Sequence, residues 1–101
     1  MITWCMEFAD RGARDPYNGI ASKAARRALP SALRQRAIDK LTLLDAAVSL
    51  DQLRIPAGNT LEPLRGDRAG RHSIRINDQY RICFRWTGAG AIDVEIVDYH
   101  D

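Results

Sequence analysis

A change of period in the second half of the chain constrains the fold more than any other feature. Ile74 and Ile76 alternate with Ser73, Arg75 and Asn77. Tyr80, Ile82, Phe84 and Trp86 alternate with Arg81, Cys83 and Arg85, and Ile92, Val94 and Ile96 alternate with Asp93, Glu95 and Val97. An extended strand sends successive side chains to opposite faces, so this alternation predicts three strands, each with one face buried. The connectors, "ND" at 77–78 and "TGAGA" at 87–91, are too short for anything but antiparallel neighbours. "TLEPL" (60–64) reads as a further strand, and Pro63, which cannot donate to a ladder, belongs at a sheet edge.

The first half carries helical spacing. After Pro30, residues Leu33, Ala37, Leu41, Leu44 and Val48 recur every three or four positions and form one apolar stripe. Pro30 suits the first turn of that helix, where its missing N–H has no partner to lose. "IASKAARRA" (20–28) is a shorter helix candidate, "RGARDPYNG" (11–19) is rich in turn formers, and "ITWCMEFA" (2–9) reads as a strand. The expected fold class is α+β: N-terminal helices packed on one face of a small antiparallel sheet, in a single domain spanning 1–101.

Parity then gives the inventory of the open face: Arg71, Ser73 and Arg75; Arg81, Cys83 and Arg85; Asp93, Glu95, Val97 and Tyr99. Cross-strand ion pairs between these arginines and Asp93 or Glu95 account for such a face without any function. His72 has the parity of Ile74 and reads as structural. The final strand raises a geometric question. If it stays regular, Asp98 and His100 fall on the core side and only Tyr99 joins the arginines; a twist or bulge near its end would instead bring His100 to the rim.

Composition narrows the chemistry. Of fifteen basic residues only Lys23 and Lys40 are lysines, and the other thirteen are Arg, whose planar fork matches phosphate oxygens. Net charge is +2, too low for strong binding to free RNA without a positioned site. Cys5 and Cys83 lie in apolar runs without metal-ligand spacing and read as reduced sheet residues. No apolar run is long enough to span a membrane and no signal peptide is visible, which gives a cytoplasmic expectation. No P-loop, GxGxxG or zinc cluster is present, and no cofactor or metal is expected.

His, Asp, Tyr and Arg suffice for one reaction in particular. RNA carries its own nucleophile, the 2′-OH. Cleavage needs a base for that proton, an acid for the 5′-oxygen and cations for the developing phosphate charge.

"GNTLEPLRGDRAGRHSIRINDQYRICFRW", followed by "DVEIVDYH", resembles the HigB-like "killer protein" toxins of the RelE superfamily, the toxin halves of bacterial toxin–antitoxin pairs. "FADRG" and "LDAAVSLDQLRIP" fit as well, so the resemblance covers nearly the whole chain. It implies a RelE-like fold and an endoribonuclease that cuts mRNA on the ribosome. It also implies a cognate helix-turn-helix antitoxin, with operator DNA bound only through the toxin–antitoxin complex and no membrane partner. At matched positions it makes Asp98, Tyr99 and His100 catalytic, with Asp98 fixing the His tautomer, and gives Arg81 the scissile phosphate. Arg65 stands where many relatives have Lys in a "PLKGD"-type loop and keeps a phosphate-contact role. Glu62 occupies a position where some relatives carry an active-site His. Arg71 and Arg75 are assigned to RNA backbone contacts.

Two alternatives remain open from sequence: a non-enzymatic toxin of the same fold that poisons a protein target such as gyrase, and a plain partner-binding domain.

Overall fold

A computed structural model of the chain describes residues 6–9, 11–20, 22–54, 59–64, 66, 70–87 and 90–98. The elements run α1 (Arg11–Tyr17), α2 (Lys23–Ala28), a 3-10 turn (Ser31–Leu33), α3 (Arg34–Ala46), a second 3-10 turn (Leu50–Arg54), β1 (Glu62–Pro63), β2 (Arg71–Arg75), β3 (Tyr80–Thr87) and β4 (Gly90–Asp98). The strands form one antiparallel sheet in the order β1-β2-β3-β4. Pro63 lies on the edge strand, as its missing donor requires.

The core forms between α3 and one sheet face. Ala37, Leu41 and Leu44 of α3 are buried, together with Ile74, Ile76, Ile82, Phe84, Ala91 and Val94. Close packing there is worth about 2–5 kcal/mol per large aliphatic side chain truncated to Ala. Residues 6–9 add to the far edge. Phe8 bridges Val94 in parallel, and Glu7 and Ala9 exchange backbone hydrogen bonds with Ala91 and Val94 at 2.8–3.2 Å. The described part of the expected N-terminal strand therefore lies against β4; residues 1–5, with Cys5, lie outside the described residues.

Four expectations need correction. The turn-rich segment 11–19 contains α1. Its helix survives the turn residues because Ala13 and Pro16 are fully buried, Ser22 donates to the buried Asp15 carboxylate at 2.7 Å, and Tyr17 donates to Asp45 at 2.8 Å. Tertiary contacts here outweigh local propensity. Pro30 caps the 3-10 turn, and the α-helix proper starts at Arg34. That helix ends at Ala46, so Val48 lies beyond it and is 71% exposed.

The β2–β3 connection is not a two-residue turn. Arg75 pairs with Arg81 and the Ile76 N–H donates to Tyr80, so Asn77–Gln79 form the loop. The Asn77 side chain closes it by accepting from the N–H groups of Gln79 and Tyr80 at 3.0 and 2.7 Å.

The fourth correction is a β-bulge. Cys83 pairs with Glu95 but Arg85 pairs with Ile92, so β4 gains a residue opposite Phe84. Asp93 takes φ +53°, a conformation Asp tolerates better than most residues. The bulge reverses parity before it. Ala91 takes the core position, and Ile92 turns to the face that Arg85 occupies.

Candidate active site

The face away from the helices is built from the register. Glu62, Ser73, Cys83 and Glu95 form one row across all four strands. On either side of it the ladder sets Arg71 opposite Arg85 and Arg75 opposite Arg81. Like charges directly opposite are unfavourable, and three of these arginines are drawn aside by acceptors.

Arg71 extends from β2 across β3 to β4, where Nη2 lies 4.0 Å from Asp93 and Nη1 lies 3.9 Å from Glu95. This is the cross-strand pairing that parity alone predicts. Its partly exposed geometry contributes about 1 kcal/mol or less. Arg75 turns to Asp78 in the adjoining loop. It also lines a cleft of about 260 Å³ with Arg36 and Lys40 of α3 and with Ile76 and Asn77.

Arg81 extends the opposite way, from β3 over β2 toward β1. Its Nε donates to Ser73 Oγ at 2.7 Å, and its Nη2 donates to the Thr60 carbonyl at 2.5 Å and the Ser73 carbonyl at 3.4 Å. Glu62 Oε2 stands 3.9 Å away. The Arg81 side chain is only 12% exposed, and its bonds to Ser73 and Thr60 fix the guanidinium plane. A preorganised cation of this kind meets developing charge without having to reorient. Ser73 and Cys83 beneath the arginines are fully buried, so this face is covered by its own side chains around Cys83.

The end of β4 stays regular. Tyr80 pairs with Asp98 and Arg81 with Val97, so Asp98 has the parity of the core residues Ile82 and Ile96. Asp98 is nevertheless exposed, at the sheet's rim, where Gln79 donates to it at 3.2 Å. The bulge that a rim-facing tail would need near the strand end lies instead five residues upstream, at Asp93. The structure thus brings Arg81 and Glu62 together, while Arg71 turns to Asp93 and Glu95, Arg75 turns to Asp78, and Asp98 lies at the rim with the parity of the core residues. Tyr99, His100 and Arg65 lie outside the described residues.

Sequence reading missed Thr60 and Gln79 as partners of site residues. Ser73 was placed on the right face, and its small hydroxyl between two arginines is the signal that could have marked it as a clamp. His72 is structural, as its parity indicates: its ring stacks on Phe84 at 6.3 Å, and its Nδ1 is buried without a hydrogen-bond partner among the described residues.

The family model described as "RelE-like toxin of type II toxin-antitoxin system HigB" matches residues 6–100. The chain belongs to this family of HigB-like toxins. It is 38% identical over 88 residues to Toxin HigB-1 of Vibrio cholerae, covering 87% of this chain and 90% of that protein. It is 34% identical over 62 residues to the Endoribonuclease HigB of Proteus vulgaris, covering 61% of this chain and 66% of that protein. The solved YoeB/ParE toxin from Agrobacterium tumefaciens aligns over 91% of this chain and 97% of its own, with a TM-score of 0.48 and 19% identity. As a HigB-like toxin of a type II pair, the protein has an antitoxin partner. No helix among the described residues is long and apolar enough to cross a membrane.

Proposed function

We propose that this HigB-like toxin is an endoribonuclease that cuts mRNA held on the ribosome. The observation that carries the reading is the fixed Arg81 guanidinium, clamped by Ser73 and Thr60 and borne by β3, the strand that pairs with the one carrying Asp98. The name of the Proteus vulgaris relative agrees with it.

The 2′-oxygen attacks the adjacent phosphorus as a base removes its proton. The phosphorus–5′-oxygen bond breaks as an acid protonates the leaving oxygen. The products are a 2′,3′-cyclic phosphate and a 5′-hydroxyl. His100 is the group that moves a proton, the usual role of an imidazole in such chemistry. Asp98 fixes its tautomer, and Tyr99 stacks on a base or orients the phosphate. Arg81 meets the charge on the phosphate oxygens. Glu62, adjacent to Arg81, holds the position of a second acid–base group, while Arg65, Arg71 and Arg75 contact the RNA backbone. A low net charge suits an enzyme whose substrate is delivered by the ribosome. The antitoxin partner carries a helix-turn-helix domain, through which the pair binds operator DNA.

The test is His100→Ala, purified free of antitoxin and added to a translating extract, with message 5′ ends mapped. A proton-transfer group contributes about 10²–10⁴-fold, and the variant should lose at least the lower figure while remaining folded. Undiminished cutting removes His100 from the mechanism. Intact message with DNA-damage signalling on expression would assign the toxin a gyrase-like target instead, and absence of growth arrest would leave a partner-binding domain.

A further inference from the structure

A chain of contacts runs from the helical layer to Arg81. Lys40, on α3, donates its Nζ to Asn59 Oδ1. Asn59 is fully buried, and its Nδ2 donates to the Leu53 carbonyl at 3.2 Å. The amide side chain thus ties the segment before β1 both to α3 and to the second 3-10 turn. The next residue, Thr60, is held at φ +47°. A β-branched residue with positive φ is a genuine outlier and costs about 1–3 kcal/mol, so it persists only where its surroundings over-determine it. The Thr60 carbonyl is the acceptor that receives Arg81 Nη2 at 2.5 Å.

We infer that Lys40 and Asn59 are positioning residues for Arg81: they hold Thr60 in its strained conformation, and the Thr60 carbonyl then sets the guanidinium where the scissile phosphate docks. The inference rests on the phosphate role proposed for Arg81. A strained residue next to a functional group, fixed by a buried amide and a helix cation, is a way of placing a donor at sub-ångström accuracy. Such placement matters, because a 1 Å error at a reacting centre can cost about 10²-fold in rate. Ser73 holds the guanidinium chiefly through Nε, and Thr60 holds it through Nη2 with the shorter of that nitrogen's two backbone bonds. The first anchor comes from the sheet and the second from the helical layer, so the position of Arg81 registers how α3 is packed.

The test uses Lys40→Met, with Lys40→Arg as the conserving variant, in the full-length toxin. Two readouts are needed. The first is hydrogen exchange of the Arg81 Nε–H and the Thr60 amide by NMR on the free protein. Lys40→Met should accelerate both and Lys40→Arg neither; unchanged exchange in Lys40→Met overturns the inference whatever Arg81 does. The second is the cleavage rate at saturating programmed ribosomes. Lys40→Met should lower it about 10-fold with little change in the half-saturating concentration, and should lower it no further in an Arg81→Ala background. Additive losses would mean that Lys40 touches RNA directly, through the cleft it shares with Arg36 and Arg75, and would overturn the inference. If Arg81→Ala cuts at the full rate, the phosphate reading of Arg81 fails and the positioning role fails with it, while the exchange data still report whether the physical linkage exists.

Discussion

The clamp on Arg81 makes a quantitative prediction through Ser73→Ala. The Ser73 hydroxyl is fully buried and accepts from Arg81 Nε at 2.7 Å, a short bond from a charged donor. Hydrogen bonds to charged groups contribute about 1.5–3 kcal/mol. The lower end applies here. Ala leaves Nη2 its backbone acceptors on Thr60 and Ser73, and leaves Glu62 at 3.9 Å, so the guanidinium is weakened in its anchoring and not stranded. The expected loss is about 1.5 kcal/mol. For a domain of this size that lowers the thermal midpoint by roughly 6–12 °C. Calorimetry or far-UV circular dichroism on the purified toxin reads it directly, and the Arg81→Ala background provides the control. There the same substitution should cost less than about 0.5 kcal/mol, because the bond no longer exists to be broken. A midpoint within 2 °C of the parent for the single variant, or an equal loss in both backgrounds, would mean that the Ser73–Arg81 bond does not stabilise the fold.

Two further outcomes concern stability. The Tyr17 hydroxyl is pushed from its ordinary value of 10 up to about 12, by burial first and then by its hydrogen bond to Asp45 and that carboxylate's charge. A raised folded-state value means that the stabilisation is complete below pH 10 and is lost as pH rises from 10 through 12. Tyr17→Phe should therefore flatten urea-midpoint curves over that window, and identical curves would rule the contribution out. His72→Leu removes a ring nitrogen buried without a partner among the described residues while keeping apolar bulk against Phe84. Stability should hold or rise by up to about 1 kcal/mol, and a loss larger than that would show that Nδ1 has a partner.

The sheet was legible because alternation is written wherever one face is buried and the other is not. Ile74, Ile82, Phe84 and Val94 all fell where period two placed them, and Pro63 marked its own edge. The bulge was not legible, because Ala91 and Ile92 are both apolar and either could fill the core position. Only the backbone at Asp93 decides between them. Segment 11–19 misled because Gly, Asp, Pro and Asn describe local preference, while α1 is held by Ser22 and Asp45, which come from elsewhere in the chain. The same division holds at the site. Arg81, Arg71 and Arg75 were placed on the right face by parity, and the Arg71 pairing with Asp93 and Glu95 follows from charge and face alone. What fixes Arg81 was only half visible: Ser73 lies on the neighbouring strand in register, but Thr60 reaches Arg81 through a fold of the segment before β1 that no periodicity encodes.

The parallel bridge between Phe8 and Val94 has a consequence for the order in which the toxin becomes whole. Translation delivers residues 6–9 before β4. Until β4 emerges, those first residues have no ladder to join and β3 presents an open edge. The strand that carries Asp98 is therefore made after both of its neighbours and joins one on each flank. A nascent chain interrupted before it would leave residues 6–9 and the edge of β3 without the strand that pairs with both.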